Sequence, residues 1–276
     1  MLPDEKPWVQ NLLQQRYYQK EESTWPQICQ RVASLGKTAE DKAAFFNYLL
    51  HCDFLPNSPT LFNAGTGKGN LSACYVLPMR IDHPDIVKFI TMKHEEGTLS
   101  NFNISVSVTD EFMEKLQKYP DDNFIARWND EESNILNEDG ASYTYRQVWD
   151  LIAQSAWECA DPGIIFIDRI NEQMPASYLA CAEYLEETGD DLTIRATNPC
   201  GEQPLPDYGS CNLVALNIGN FVIKGQMDWK ALQEAIKYAY RLGEAVIDSN
   251  VYPISEIEEH SRAYRNIGIG VMGYAD

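Results

Sequence analysis

Short apolar segments that alternate with helical stretches are the feature that most constrains the fold of this chain. The segments that read as strands are NISVSV at 103–108, GIIFI at 163–167, NLVALNI at 212–218 and NIGIGVMGYA at 266–275. Helical spacing of apolar residues runs through 143–159, with Trp149, Ile152, Ala153, Ala156 and Trp157 expected on one side, and from Trp229 to about Ile247. Strands alternating with helices indicate an α/β fold with a mainly parallel sheet or barrel.

The first 52 residues lack strand patterns and predict a helical N-terminal region. Thr24 followed by Pro26 reads as the start of a second helix, and Thr38 with Asp41 as the capped start of a third. Residues 53–70 are rich in Gly, Pro, Ser and Asn, which predicts a loop of functional length. We therefore expect a helical region over 1–52 and an α/β region over 53–276.

Charge and hydropathy exclude several classes of protein. The formal charge is −19, from 22 Lys and Arg against 41 Asp and Glu, so we expect no direct nucleic-acid binding. The N-terminus has no apolar signal-peptide segment, and no run approaches the ~20 apolar residues that span a bilayer. These observations predict a soluble, cytoplasmic protein without a membrane partner.

The seven cysteines also limit the chemistry. Their number is odd and no CxxC occurs, so neither a zinc site nor a secreted disulfide framework is expected, and no metal ligands are predicted. Any disulfide in this chain would be catalytic.

The segment NPCGEQPLPDYGSCNL, residues 198–213, contains the most unusual local pattern. Asn198, Cys200 and Glu202 stand at alternate positions, so an extended backbone would place all three on one face, roughly 6 to 7 Å apart. Pro199 disfavours helix before it, and Gly201 lets the backbone approach another group closely. This spacing predicts a pocket that contains an amide, a thiol and a carboxylate.

Cys200 could play several roles. A lone cysteine is most often an inert buried residue. A thiolate nucleophile would need a nearby cation, and none of the four histidines (51, 83, 94 and 260) is an obvious partner in sequence. A metal ligand would need more sulfur or imidazole nearby. One-electron chemistry, in which a thiyl radical removes a hydrogen atom from carbon, needs a shielded cysteine without a thiolate-stabilising cation and a carboxylate that takes a hydroxyl proton. The local pattern fits this role best.

A family resemblance covers the chain from about residue 6 to the end. The blocks NSPTLFNAGT, LSACYVLPM, HPDIVKFITMKHEEG, NFNISVSVTDEF, DPGIIFIDRIN, TNPCGEQPLPDYGSCNL and RNIGIGVMGYAD resemble, in order, the catalytic subunit of ribonucleotide reductase. The motif NPCGEQPL is most similar to that of the adenosylcobalamin-dependent class of ribonucleotide reductases. The resemblance implies part of the ten-stranded α/β barrel of this family, preceded by the helical region, and reduction of ribonucleotides to 2′-deoxyribonucleotides.

The resemblance also implies roles for individual residues. Cys200 matches the cysteine that becomes the thiyl radical and takes the ribose 3′-hydrogen. Glu202 matches the base that accepts the 3′-hydroxyl proton, and Asn198 matches the amide that orients the substrate hydroxyls. Cys74 and Cys211 match the dithiol that reduces the substrate and closes to a disulfide.

Substrate contacts, cofactor and partners follow from the same resemblance. The residues that match positions near the substrate are Ser58, Ser72, Ala73 and Gly201. The implied cofactor is adenosylcobalamin. The implied partners are a ribonucleoside di- or triphosphate and an external dithiol reductant such as thioredoxin.

The sequence departs from the family pattern in two places. Relatives continue for several dozen residues where Met79 here meets Arg80, and they continue beyond GVMGYAD through the second half of the barrel. We therefore expect an internally deleted and C-terminally truncated catalytic chain, with a second polypeptide as a partner that could complete the barrel. The alternative is a non-catalytic fragment or pseudoenzyme of the family.

Overall fold

The computed structural model describes residues 2–67, 69, 71–72, 77–94, 103–173, 193–198 and 200–275. Contacts between residues divide the chain into two compact units. The first combines residues 1–74 with 208–276, and the second comprises residues 75–207. Both units contain helices packed on short sheets, which confirms the predicted α/β class.

The first unit begins with the predicted helices, α1 (Pro7–Arg16), α2 (Trp25–Ala33) and α3 (Ala39–Leu50). The predicted cap of α3 is present, because Thr38 Oγ1 accepts a hydrogen bond of 3.0 Å from the Asp41 N–H. At α2, the Thr24 N–H donates to Gln27 Oε1 at 3.0 Å, so the helix begins where Thr24 and Pro26 predicted. The prediction of a helical N-terminal region is confirmed.

Residues 53–70 contain two regular elements, so the prediction that they form a loop of functional length is wrong. They are β1 (Phe54–Pro56) and α4 (Ser58–Asn63). Strand β1 pairs antiparallel with β9 (Asn212–Asn217), far away in sequence, and Asn57 Oδ1 caps α4 by accepting from Thr60. The Gly- and Pro-rich composition concealed these elements because each is short and one depends on a distant partner.

The sheet of the first unit has the strand order β1–β9–β12, and β12 (Ile267–Met272) runs parallel to β9. Helix α9 (Trp229–Ser249) covers it, with α10 (Ser255–Tyr264) following. A Cβ on Gly243 would lie 2.6 Å from Ile267 Cγ2, so glycine allows α9 to approach β12 closely. A small antiparallel pair, β10 (Val222–Ile223) and β11 (Gln226–Met227), precedes α9.

The second unit is built on a parallel sheet with the order β2–β3–β6. Its strands are β2 (Leu77–Arg80), β3 (Ile104–Val108) and β6 (Gly163–Phe166). All five residues of β3 are buried although their polarity alternates, because a central parallel strand is covered on both faces. The packed helices are α5 (Ile86–Thr91), α6 (Asp110–Lys118), α7 (Tyr145–Cys159) and α8 (Ile167–Glu172).

The buried face of α7 differs from the predicted one. Tyr145, Val148, Ile152 and Ser155 are buried, whereas Trp157 is 82% exposed. The prediction followed apolar side chains, including two alanines, and gave no weight to the buried Ser155.

Residues 109–141 contain α6 and the antiparallel pair β4 (Ile125–Trp128) and β5 (Glu131–Asn134), and all four residues of β5 are exposed.

Two strands of the second unit carry the NPCGE segment between them. They are β7 (Ile194–Thr197) and β8 (Pro204–Pro206), which pair antiparallel. No described helix combines the length and apolar character needed to cross a bilayer.

Candidate functional site

Asn198 and residues 200–203 lie between the paired strands β7 and β8 and belong to the loop of this hairpin. The hairpin is attached to α8 by Asn171, whose Oδ1 accepts from Ile194 N at 2.8 Å and whose Nδ2 donates to Ile194 O at 2.9 Å. An ion pair of 2.9 Å between Arg195 Nη1 and Asp207 joins the two arms on the exposed side. The loop therefore projects from an anchored pair of strands.

Asn198 holds this loop together. Its N–H donates to Gln203 O at 3.0 Å, and its Oδ1 accepts from Gln203 N at 2.9 Å. Its carbonyl accepts from Gly201 N at 3.0 Å and from Thr197 Oγ1 at 3.0 Å. These bonds close a turn, which Gly201 permits by adopting a φ of 82°.

The turn corrects the expectation of an extended segment. An extended backbone would have brought the side chains of Asn198, Cys200 and Glu202 to one face through their alternate spacing. Instead, the turn brings Asn198 and Glu202 together directly, and Asn198 Nδ2 donates to Glu202 Oε1 at 2.6 Å. The sequence predicted the proximity of amide and carboxylate correctly, but from the wrong backbone geometry.

The three side chains differ sharply in exposure. Asn198 is fully buried, whereas Cys200 and Glu202 are exposed. Asn198 was predicted to contact substrate hydroxyls, yet in this conformation its amide contacts Gln203 and Glu202. The loop thus presents the Cys200 thiol and the Glu202 carboxylate to solvent, which differs from the expected pocket with a shielded cysteine, while the buried Asn198 amide donates a hydrogen bond to the carboxylate.

Neither histidine described in the second unit supports a thiolate role for Cys200. His94 Nε2 lies 2.9 Å from Ser155 Oγ, and the His83 ring meets the Trp128 ring edge-on at 4.7 Å. Among the described residues, no group of three or more His, Cys, Asp or Glu could hold a metal ion. The thiolate and metal-ligand alternatives therefore gain no support from the described geometry.

Three of the predicted site residues, Cys211, Ser58 and Ser72, lie in the first unit, on segments that are joined by hydrogen bonds. Cys211 is buried immediately before β9, and Ser58 follows Asn57, whose N–H donates to Leu213 O at 2.9 Å. The Ser58 hydroxyl is exposed and lies 3.1 Å from the Tyr17 hydroxyl. Ser72 is buried, and the Leu71 carbonyl before it accepts from Thr60 Oγ1 of α4 at 2.9 Å.

Two predicted residues, Ala73 and Cys74, lie outside the described residues. None of the five cysteines that the structure describes forms a disulfide. Burial raises the pKa of the Cys29 thiol strongly and also raises that of Cys52, so both are held as neutral thiols. These two match no family role and contribute to the core of the first unit.

Sequence reasoning missed Asn171 and Gln203. Asn171 closes the motif DPGIIFIDRIN and lies on α8, five residues after the end of β6. Gln203 supplies two of the backbone groups that Asn198 binds, and nothing in its side chain marks that role. A backbone partner of this kind cannot be identified from the sequence, because the contact depends on the conformation of the loop.

Comparisons with known proteins find matches over both parts of the chain. Residues 64–276 match the family model described as ribonucleotide reductase, barrel domain, and residues 8–69 match the one described as ribonucleotide reductase, all-alpha domain. Among solved structures, the chain is similar to the class Id ribonucleotide reductase alpha subunit of Actinobacillus ureae, with a TM-score of 0.64 and 16% identity, covering 97% of this chain and 60% of that one. That likeness shows the fold.

Two curated relatives are also similar in sequence. The vitamin B12-dependent ribonucleoside-diphosphate reductase of Thermoplasma acidophilum is 34% identical over 302 residues, which cover 81% of this chain and 37% of the relative. The protein of the same name from Mycobacterium tuberculosis is 28% identical over 358 residues, covering 96% of this chain and 49% of the relative. The chain thus spans about half the length of these relatives or less.

Both alignments are longer than the 276 residues of this chain, so they include positions of the relatives that have no counterpart here. This agrees with the predicted internal departure from the family pattern. Because the barrel-domain match covers most of the chain and the helical-domain match covers its start, the chain belongs to the ribonucleotide reductase large-subunit family.

Proposed function

We propose that this chain supplies catalytic residues for the reduction of ribonucleotides to 2′-deoxyribonucleotides by thiyl-radical chemistry. The observation that carries the proposal is the hydrogen bond of 2.6 Å between Asn198 and Glu202 in the turn that contains Cys200. A radical reaction needs a thiol that can reach a carbon–hydrogen bond and a base that is held in place beside it. The loop offers both on one anchored turn.

In this proposal, the Cys200 sulfur takes the 3′-hydrogen of the ribose and Glu202 accepts the 3′-hydroxyl proton. Asn198 fixes the orientation of the Glu202 carboxylate, and Gly201 leaves room for the substrate. The 2′-hydroxyl leaves as water, and two thiols, Cys74 and Cys211, become a disulfide. Ribonucleotide and dithiol are thus converted to deoxyribonucleotide, disulfide and water, and the Cys200 sulfur recovers its hydrogen.

The substrate contacts proposed in the first unit involve Ser58 and Ser72. Ser58 offers an exposed hydroxyl at the start of α4, and Ser72 is anchored next to it in the fold through Leu71 and Thr60. Ala73 and Cys74 follow Ser72 directly in sequence. The substrate class is a ribonucleoside di- or triphosphate.

The cofactor proposed is adenosylcobalamin, because the relatives above are named vitamin B12-dependent. When bound, this cofactor supplies radical chemistry for the removal of a hydrogen atom. The residue of this chain assigned to such chemistry is Cys200, which forms no disulfide and whose exposure differs from the expected shielded thiol. The chain's contribution is to hold that sulfur on a short turn beside Glu202.

The partners proposed are an external dithiol such as thioredoxin, which would reduce the disulfide, and a second polypeptide that would complete the barrel. A cytoplasmic location is part of the same proposal. The competing candidate is a non-catalytic fragment or pseudoenzyme of the family.

The test is Cys200→Ser in an assembly of this chain with the missing part of a relative's barrel. Reduction should fall to background while nucleotide binding stays nearly unchanged, because serine keeps the size of the side chain but resists hydrogen-atom loss. Cys52→Ser serves as the matched control, since Cys52 matches no family role. Substantial reduction by the Cys200 variant would remove this residue from the mechanism.

A second experiment separates the dithiol from the radical. Cys211→Ser should stop reduction and still permit exchange of hydrogen at the 3′-carbon, because Cys200 and Glu202 are intact. Full-rate reduction by this variant with an external thiol would show that Cys211 is not part of the reducing pair.

A further inference from the structure

A cavity of about 440 Å³ lies in the second unit, on the face of the parallel sheet opposite to α5, α6 and α7. Those helices pack on Ile104, Val106 and Val108 of β3, and the alternation of side chains along a strand turns Ser105 and Ser107 to the other face. The volume falls within the range of small-molecule sites, roughly 300–1,000 Å³.

Ser107 contributes an unpaired hydroxyl to the wall of this cavity. The residue is 2% exposed, and its Oγ atom has no hydrogen-bond partner in the described part of the chain. Buried hydroxyl groups without a partner destabilise a fold, so most of them are satisfied by protein, water or a ligand. Ser107 also stands near the carboxyl end of β3, and ligands of open α/β sheets bind at that end of the strands.

Two guanidinium groups line the same cavity. Arg80 is the last residue of β2 and the register partner of Ser107, so both side chains rise from one face of neighbouring strands, while Arg195 reaches the cavity from β7. Arg80 donates from Nε and Nη2 to Asp82 at 3.0 and 2.8 Å, and Arg195 Nη1 lies 2.9 Å from Asp207. Both carboxylates lie outside the described lining of the cavity. A guanidinium group has five N–H donors, so the pair with Asp82 leaves Arg80 with further donors.

The other lining residues limit the kind of ligand. Asp168 is the carboxylate in the described lining, and its Oδ2 accepts from the Asp110 N–H at 2.8 Å. Two cations and one carboxylate therefore face the cavity of a chain whose formal charge is −19, and this local excess of positive charge favours an anion. Pro78, Ile167 and Ile194 form apolar walls, which favour an organic body attached to that anion.

We propose that this cavity binds a small phosphate monoester, with its phosphate held by the Ser107 hydroxyl and the guanidinium groups of Arg80 and Arg195. A phosphate has three strong acceptor oxygens, which suit one hydroxyl and two guanidinium groups, whereas a carboxylate has two oxygens. The apolar walls hold the organic part. The site lies within the second unit, and the inference does not rest on the proposed function.

The test is calorimetric titration of the purified chain with glycerol 3-phosphate at constant ionic strength. Glycerol, which lacks the phosphate, and acetate, which carries a carboxylate instead, are the comparison probes. Glycerol 3-phosphate should bind at least about tenfold more tightly than either, because only it offers three anionic oxygens. Equally tight binding of acetate would overturn the phosphate assignment. No binding of glycerol 3-phosphate up to about 10 mM would overturn the site altogether.

Ser107→Ala separates a ligand contact from a structural role. It should lower the affinity for glycerol 3-phosphate about tenfold, the effect of one lost hydrogen bond to a charged group. It should also raise the denaturation midpoint of the unliganded chain, because it removes a buried hydroxyl without a partner. Ser105→Ala is the matched control, since Ser105 lies on the same face of β3 but outside the described lining. An unchanged affinity in Ser107→Ala, or an equal loss in Ser105→Ala, would contradict the proposal.

The charged residues give a test with two opposite signs. Arg80→Met should weaken the binding of glycerol 3-phosphate at least about tenfold, whereas Asp168→Asn should strengthen it several-fold by removing the opposing charge. An asparagine oxygen can still accept from the Asp110 N–H, so the second variant keeps that contact. Arg146→Met, at a largely exposed position of α7, controls for net charge and should leave the affinity unchanged. Equal losses in Arg80→Met and Arg146→Met would reduce the binding to a general charge effect and overturn the site.

Discussion

At the scale of single residues, the site depends on a buried amide rather than on the thiol itself. Asn198 uses its backbone and its side chain to close the turn and also holds Glu202. Cys200 is exposed and contributes little to the shape of the loop. We thus assign the stability of the loop to Asn198 and the proposed chemistry to Cys200 and Glu202.

This division leads to a prediction for Asn198→Ala. Loss of the bond from Gln203 N to Asn198 Oδ1 leaves a backbone donor unpaired, which costs about 1–3 kcal/mol. Hydrogen exchange at the Gln203 amide should accelerate roughly 5- to 150-fold under native conditions. Cys200→Ser is the control and should leave that exchange rate unchanged. An unaffected Gln203 amide in Asn198→Ala would show that the side chain does not hold the turn.

The sequence predicted which residues of the loop come together, and it predicted their geometry incorrectly. Alternate spacing was read as an extended backbone, because a strand is the simplest structure that unites residues two apart. The turn depends on Gly201 at positive φ and on Gln203 as a backbone partner, and neither effect is visible from spacing. The roles themselves came from family resemblance and stay predictions.

At the scale of elements, contacts between α3 and α9 stabilise the first unit. Asp41 Oδ1 of α3 lies 2.7 Å from Arg241 Nη2 of α9, and the carboxylate is 5% exposed. On the same pair of helices, the Tyr238 hydroxyl donates to Glu40 Oε1 at 2.6 Å. A hydrogen bond and an ion pair therefore join α3 to α9, which lies nearly two hundred residues later in the chain.

Arg241→Met should reduce the free energy of unfolding by about 1–3 kcal/mol, because it leaves a buried carboxylate without its cation while the Thr38 contacts remain. Arg262→Met is the matched control. The Arg262–Glu258 pair is about half exposed, so its loss should cost at most about 0.5 kcal/mol. Chemical denaturation measures the loss of unfolding free energy in both variants. Equal losses would contradict a stabilising role for the Asp41–Arg241 pair.

Tyr238 gives a prediction for pH dependence. The hydrogen bond to Glu40 raises the pKa of this phenol from its ordinary value of 10.0 to about 12, with burial adding to the effect. A group whose pKa is raised on folding stabilises the folded state below its unfolded pKa and loses that contribution as pH rises through the folded one. The stability difference between the parent chain and Tyr238→Phe should therefore be constant below pH 10 and shrink between pH 10 and about 12.

Spectroscopic titration of the tyrosines checks the cause. Glu40→Gln should bring the pKa of Tyr238 back toward 10.0. A Tyr238 pKa that stays near 12 in Glu40→Gln would rule out the hydrogen bond as its source.

The element scale is where prediction from sequence succeeded most. Long helices and strongly apolar strands were found because their periodicity extends over enough residues to stand out. The elements β1 and α4 were missed because short elements carry little periodicity and β1 depends on β9 for its pairing. The face of α7 was misassigned because apolar character alone determined the choice of residues, whereas the buried face includes the hydroxyl residues Tyr145 and Ser155.

At the scale of the whole molecule, the proposed residues are distributed over two compact units. The loop with Cys200 and Glu202 belongs to the second unit, and Cys211, Ser58 and Ser72 belong to the first. The sequence-based division at residues 52 and 53 stays a prediction. The first unit is assembled from both ends of the chain, which no linear division of the sequence describes.

The most direct test of the central claim is turnover of a ribonucleotide by the purified chain with adenosylcobalamin and dithiothreitol. It is measured with and without a polypeptide that supplies the barrel segments present only in the relatives. We expect deoxyribonucleotide when the second polypeptide is present, and loss of that product with Cys200→Ser. A folded assembly that binds nucleotide but yields no product would contradict the account and identify the chain as a non-catalytic member of its family.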